Sequence, residues 1–266
     1  THYSAISQLI YKLTSEITSA GYAYKIDTDL RPEGVAGVLV MSIAGYQHYF
    51  KTRARIWEQQ AMVRSRVVAG NQEVGEKFME RVHDFVFKDE FEYSALIEIS
   101  RMRERMELEL AQEKTKGKNV KLGFGGIADI EFAMQILQLI HGKKNQHLRK
   151  ANTMSALDMF IAQGMIDRIK ASQAKVNYLF LRRLECALRI ISETPTNNLP
   201  KEVCDLAQLA RLMSYTGNEE DKLANALLED YEKQTVQMRV YYRETIGQLL
   251  RTGPRSFSAE ENKNRP

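Results

Sequence analysis

Little in this chain can cross-link it, hold a soft metal or carry it through a bilayer. Cys186 and Cys204 are the two cysteines of 266 residues, and neither has a Cys or His at metal-ligand spacing. That excludes a disulfide framework and a Cys/His zinc site, and two buried thiols in a reducing cytoplasm is the expected state. No run of eighteen apolar residues occurs, so no membrane-spanning helix is expected. The first residues carry no secretory apolar stretch. The five histidines show no nucleophile–base spacing. Proline is absent between Pro32 and Pro195, which lets helices in that interval run long. Charge of one sign is scarce as well. The net charge of +4 is spread along the chain, whereas nucleic-acid proteins gather it on one face, so no nucleic-acid partner is expected. The most basic short stretch, Lys143–Lys150, falls between expected helices. It reads as a solvated loop, the other reading being an anion or partner contact.

What is present is ordinary globular material. At 44% hydrophobic content, the chain has enough for one large domain or two modest ones. Residues 4–20 have amphipathic helical spacing. β-rich runs follow near Tyr22–Asp27, Val38–Met41 and Arg64–Val68. Ser42 is placed to cap a helix running through Tyr49 and Trp57 to about Met62, and Asn71 one running to about Phe87. Beyond a break at Phe91–Tyr93 the pattern is helical throughout, near 94–113, 126–141, 152–162, 167–192, 202–213 and 218–250. Leu181, Leu184, Leu188 and Ile191 form one apolar stripe, and Trp57, the lone tryptophan, is expected in a core. The expected fold is mainly α with a small β part: a mixed region over 1–92, a helical bundle over 93–250 and a disordered tail over 251–266.

Two motifs carry chemistry. In Lys121-Leu122-Gly123-Phe124-Gly125-Gly126-Ile127-Ala128-Asp129-Ile130-Glu131, a basic, Gly-rich turn opens a helix. Helix N-termini attract phosphate through free N–H groups and the helix dipole. Glycine allows close backbone approach, and Asp129 and Glu131 sit where that dipole favours carboxylates. The same pattern also describes an ordinary loop-to-helix junction. Upstream, Asp27 and Asp29 lie two residues apart before the turn-forming Arg31-Pro32-Glu33-Gly34. On a strand both carboxylates face one side, which suits Mg²⁺; the alternative is a solvated hairpin edge. Arg31 either reaches phosphate or braces the turn. Arg64 and Arg66 share a strand face in this reading and either line a cleft or are surface residues.

The segments IDTDLRPEG (Ile26–Gly34), WEQQAMVRSRVVAG (Trp57–Gly70) and KLGFGGIADIEF (Lys121–Phe132), in this order, strongly resemble the glutamate-ammonia-ligase adenylyltransferase / adenylyl-removing family. The resemblance runs from about Gly21 to about Leu250. It implies the tail end of a polymerase-β-type nucleotidyltransferase domain followed by a helical bundle. It also implies transfer of AMP from ATP to a tyrosine of glutamine synthetase, or phosphorolytic removal of that AMP, in the cytoplasm. Mg²⁺ would be the cofactor, ATP the substrate, glutamine synthetase the partner, and a PII-type signal protein a possible second one. Asp27 corresponds to the family's third metal carboxylate and is the catalytic candidate. Asp29, where many members carry arginine, ranks below it as a metal ligand. Arg31, Lys121, Gly123, Gly125, Gly126, Asp129 and Glu131 are the nucleotide-binding candidates. The family's first two carboxylates, from a Gly-Ser loop and an Asp-x-Asp strand, have no counterpart before Asp27. The chain is therefore expected to be a C-terminal portion of a longer enzyme and catalytically incomplete alone. The form of DTDLRPEG favours the AMP-attaching half, whereas Asn177–Glu185 resembles the removing half. A non-catalytic bundle that binds glutamine synthetase or a PII-type protein is the reading from a different class.

Overall fold

The computed structural model describes residues 2–19, 21, 26–192 and 196–252. Contacts divide the chain into two compact units, Thr1–Lys88 and Asp89–Pro266. Among the described residues no helix is long and apolar enough to cross a membrane. The tail expected to be disordered lies outside the described residues, save for positions 251 and 252, which complete the last helix.

The first unit holds α1 (His2–Ser15), α2 (Ile43–Thr52), α3 (Ile56–Met62) and α4 (Gln72–Val86). Helix α1 ends earlier than its apolar spacing suggested. The Thr18 backbone N–H and hydroxyl both bond to the Gly21 carbonyl, at 2.8 and 2.7 Å. That local turn competes with further helix, as threonine side chains commonly do. Ser42 and Asn71 cap as their types predict, accepting from Gly45 N–H at 3.1 Å and Val74 N–H at 3.0 Å.

The single helix expected from Ser42 to Met62 is broken at Arg53–Arg55. Glu58 explains the break: one carboxylate oxygen accepts from the Arg55 N–H at 2.7 Å, and the other from the Tyr49 hydroxyl at 2.6 Å. A new helix start is thus capped from within. Helix α3 consequently buries polar Glu58, Gln59 and Gln60, while Trp57 is only half-buried. Gln59 uses its amide to donate to the carbonyls of Phe85 and Val86, at 3.2 and 2.8 Å. The rings of Phe50 and Phe85 stack 4.3 Å apart, fixing α2 on α4.

The small β part is corrected. Among the described residues the backbone pairs only at two isolated bridges, Thr18–Gly21 and Asn119–Asn198. Most of Tyr22–Asp27 lies outside the described residues; Ile26 and Asp27 are irregular, as are Val38–Met41 and the Ser65–Val68 stretch. A strand persists only where a second segment takes its backbone groups, and apolar β-formers alone do not supply one. Val38 and Val68 are exposed, and Val67 lies against α4 where a Cβ on Gly75 would stand 2.9 Å from it. Arg64 and Arg66 are exposed but share no strand face.

The second unit is helical: α5 (Tyr93–Arg105), a π-helical turn (Met106–Leu110), α6 (Glu113–Lys116), α7 (Ile127–His141), α8 (Thr153–Ala162), α9 (Arg168–Ile191), α10 (Val203–Leu212) and α11 (Glu220–Thr252). Its boundaries follow the periodicity closely, except that the expected helix 94–113 becomes α5 plus the π turn. Gln112 then takes a left-handed backbone (φ 50°) and ends the run. Helix α7 is central, buried from Ile127 through Leu139 apart from Glu131 and packed by α5, α8, α9 and α11. An almost wholly apolar helix has to be enclosed in this way. Leu181, Leu184 and Leu188 of α9 line the core, as their stripe predicted. Cys186 and Cys204 are exposed rather than buried, because both fall on the solvent side of amphipathic helices.

At the C-terminal end of α7, the Nε2 of His141 is buried without a hydrogen-bond partner. Burial, with nearby Lys144 adding to it, pushes this imidazole from 6.5 down to about 4. A depressed histidine contributes stability above its unfolded value that is lost as pH falls through its folded one. The urea midpoint of the chain should therefore drop between pH 6.5 and about 4 more steeply than that of His141→Gln. Parallel pH profiles for the two proteins would refute this assignment.

Candidate functional site

The Gly-rich segment stands at the start of α7, as its composition required. Its donors, however, are turned inward. Ile127 N–H donates to Val120 O and Ala128 N–H to Lys121 O, both at 3.0 Å, while Gly126 N–H reaches Gly123 O at 3.1 Å. Asn119 Oδ1 accepts from the N–H groups of Lys121 and Leu122 at 3.1 and 2.8 Å. The groups that make a helix N-terminus attractive to phosphate are thus engaged by the loop itself.

The glycines are packing positions. A Cβ on Gly125 (φ +63°) would lie 1.8 Å from the Thr235 carbonyl oxygen of α11. On Gly123 it would meet the Glu113 carboxylate at 2.1 Å, and on Gly126 the Lys121 carbonyl at 2.7 Å. The close backbone approach read from these glycines exists, but what approaches is the chain's own helix α11. Lys121 is half-buried, and its ammonium makes no ion pair among the described residues. Glu131 accepts from the Tyr178 hydroxyl of α9 at 3.3 Å.

Asp129 is fully buried (0% exposed) between two arginines that sequence reasoning did not single out. Arg103 of α5, 1% exposed, places Nη2 at 2.6 Å and Nε at 2.7 Å from Asp129 Oδ1. Its Nη2 also donates to the Gly123 carbonyl at 2.9 Å. Arg239 of α11 sets Nε 2.9 Å from the other carboxylate oxygen. Glu107 of the π turn pairs with both arginines. Two guanidiniums thus face two carboxylates, which makes burial tolerable. Phe124 at the loop tip lies over the Arg239 guanidinium, 4.7 Å from ring centre to carbon. Burial pushes the Asp129 carboxyl up to about 6, against the pull of Arg103 and Arg239, so it stays ionised at neutral pH. The signal that pointed to this cluster was Asp129 itself. A carboxylate heading an otherwise apolar helix needs buried cations, although nothing in the sequence says which ones.

In the first unit, Asp27 and Asp29 are exposed and belong to a turn rather than a strand. Asp27 Oδ1 accepts from the Asp29 N–H at 2.9 Å, a common aspartate turn. Its second carboxylate oxygen has no partner among the described residues. Arg31 braces the turn: its guanidinium donates to the carbonyls of Thr28 (2.8 Å), Val35 (2.8 Å) and Gly37 (3.0 Å). Gly37 packs on the Pro32 carbonyl so tightly that a Cβ would stand 1.8 Å from it. Glu33, in the left-handed region (φ 66°), pairs with Arg53 at 2.6 Å. The Arg-Pro-Glu-Gly motif is therefore a self-bonded loop. Among the described residues no group of three or more His, Cys, Asp or Glu is placed to hold a metal ion. Asp27 and Asp29 do not by themselves fit Mg²⁺, which wants near-octahedral oxygen ligation.

Two substitutions test this construction. Asp129→Ala leaves two buried guanidiniums to one carboxylate and should cost about 3–5 kcal/mol in urea unfolding of the chain; a loss below about 1 kcal/mol would mean the pairs are not truly desolvated. Gly125→Ala must move α11 or the loop and adopt an unfavourable φ, so it should lower stability by about 2 kcal/mol or more. Gly164→Ala, equally left-handed but with nothing within 4 Å, is the control expected to cost less.

The glutamate-ammonia ligase adenylyltransferase family pattern matches residues 1–81. That of GlnD PII-uridylyltransferase matches residues 98–246. A bifunctional glutamine synthetase adenylyltransferase/adenylyl-removing enzyme from Stenotrophomonas maltophilia (strain R551-3) is 34% identical over 214 residues, covering 80% of this chain and 23% of the relative. Enzymes of the same name from Hahella chejuensis (30% over 215 residues; 81% and 22% covered) and Shewanella loihica (29% over 242 residues; 91% and 25% covered) align similarly. The chain spans about a quarter of the length of these curated relatives. Both family patterns fall, in order, on the two units built above, and the chain belongs to the glutamine synthetase adenylyltransferase/adenylyl-removing enzyme family.

Proposed function

We propose that this chain is part of an adenylyltransferase that moves AMP from ATP to a tyrosine of glutamine synthetase, in the cytoplasm, and thereby regulates nitrogen assimilation. The observation that carries the reading is the ordered pair of motifs, Ile26–Gly34 and Lys121–Phe132, in a chain whose relatives are named for adenylyl transfer to glutamine synthetase. In this reading Thr1–Lys88 belongs to a nucleotidyltransferase domain, and Asp27 contributes one carboxylate to a Mg²⁺ site completed elsewhere in the longer protein. Its exposure, and an oxygen that finds no partner among the described residues, support that role. Asp29 supports it by donating its N–H to the Asp27 carboxylate. Arg31 acts by holding the loop. Lys121, a cation with no ion pair among the described residues, is the group assigned to triphosphate charge. Gly123, Gly125, Gly126, Asp129 and Glu131 give the Lys121 segment its shape.

The adenylyl-removing activity is the second reading. It is favoured by the relatives' printed names, which carry both activities, and by the form of Asn177–Glu185. The match of residues 98–246 to a PII-uridylyltransferase pattern supports a PII-type protein as a further partner of the helical unit.

The deciding experiment follows AMP transfer from α-labelled ATP to glutamine synthetase, with Mg²⁺, using the full-length protein and its Asp27→Asn variant. Transfer that falls by about 10²-fold or more in the variant is expected, since one lost charge-stabilising ligand has effects of that order. Transfer at the parental rate in the variant would remove Asp27 from the reaction. Phosphate-dependent release of AMP from modified glutamine synthetase, lost in Asp27→Asn, would assign the chain to the removing half.

A further inference from the structure

We infer that Arg239, together with Arg103, is a positioning residue: the two guanidiniums fix the Lys121–Gly126 loop from neighbouring helices so that Lys121 is presented in one orientation. Three successive loop residues are each held from outside the loop. The Gly123 carbonyl accepts from Arg103 of α5 at 2.9 Å. The Phe124 ring rests on the Arg239 guanidinium of α11 at 4.7 Å. Gly125 lies against the α11 backbone at Thr235, with no room for a Cβ. Just upstream, Lys118 pairs with Glu232 and lies 5.7 Å from the Tyr231 ring, both on α11. Lys118, Phe124 and Gly125 thus all meet one stretch of α11, from Tyr231 to Arg239.

Arg239 is suited to this task in a way lysine is not. It donates to Glu107 and lies 2.9 Å from Asp129 Oδ2 as an ion pair, while its face carries Phe124. An ammonium is a point charge and cannot present an edge and a face at once. Phe124 is 39% exposed, so its ring is not held by a core; the guanidinium beneath it is what holds it. Neither arginine is assigned contact with substrate. They act through the loop, and that loop carries the Lys121 ammonium.

The task given to the loop in AMP transfer rests on the reading above; its positioning does not, and the test separates the two. Hydrogen–deuterium exchange of peptides covering 118–126 is measured in the full-length protein, as parent, Arg239→Lys and Phe124→Leu. Steady-state AMP transfer to glutamine synthetase is measured on the same samples. In Arg239→Lys, exchange in the loop should rise about ten-fold while α9 stays protected. KM for ATP should rise and kcat fall roughly ten-fold, with KM for glutamine synthetase unchanged. A variant that is merely less stable lowers the active fraction and leaves both KM values alone. Phe124→Leu, a substitution at the surface, should move each readout the same way by less, and it serves if Arg239→Lys does not fold. Loop exchange equal to the parent in both variants overturns the inference. A loosened loop with AMP transfer and KM for ATP at parental values upholds the positioning and removes the loop from the reaction.

Discussion

The second unit depends on one carboxylate that cannot reach water. Ionised Asp129 in an apolar helix would be prohibitively costly on its own. It is tolerable only because Arg103 and Arg239 converge on its two oxygens and Glu107 balances the second guanidinium. These residues lie on four different elements: α5, the π turn, α7 and α11. The charge pairing is therefore also a geometric requirement, since all of these elements must converge for the buried charges to be matched. Buried pairs are weak sources of net stability. What this one imposes is a single arrangement.

That arrangement explains the glycines. Once α11 is drawn onto Asp129 through Arg239, its backbone at Thr235 passes where a side chain on residue 125 would stand. Likewise, Gly123 must admit Glu113, whose Oε1 accepts from the Asn119 N–H at 2.8 Å. A Gly-rich turn before a helix is usually explained by what binds it. Here each glycine answers to a contact already made within the fold, and the N–H groups of the helix start answer to loop carbonyls. The consequence for function is specific. Any anion near this motif meets side chains rather than a ring of open backbone donors.

Much of the helical unit was legible because its signals are local. Asn152 and Asp167 accept from Ser155 and Lys170 N–H groups at 3.0 and 2.8 Å, as caps of their type do, and the leucine spacing of α9 places its core face. What stayed illegible was non-local. Arg239 lies far from Asp129 in sequence, and no pattern in either segment announces the other. The break at Arg53–Arg55 depends on Glu58 serving Tyr49 and the Arg55 N–H together, which helical periodicity does not encode. The expected strand at Val38–Met41 failed for the same reason in reverse: the segment has the composition of a strand, but a strand is a relation between two segments. The cysteines were misjudged from residue-type averages, although Cys186 lies one step off the apolar stripe formed by Leu184 and Leu188.

The two motifs each contain an aspartate that looked like a ligand, and environment separates them. Asp129 has no exposed surface, lies within 2.9 Å of a guanidinium at each oxygen and has its proton affinity raised by burial. A metal ion or its waters could reach it only by displacing an arginine. Asp27 is exposed and spends one oxygen on a backbone N–H of its own turn. The turn is stiffened from the far side by three carbonyl contacts to Arg31. A carboxylate presented on a preorganised loop loses less entropy when it takes up a cation than one on a loose chain. Arg31 therefore acts on this loop as a brace: a guanidinium bonded to three carbonyls holds the backbone next to Asp27, whereas one reaching for phosphate would release the loop that carries it.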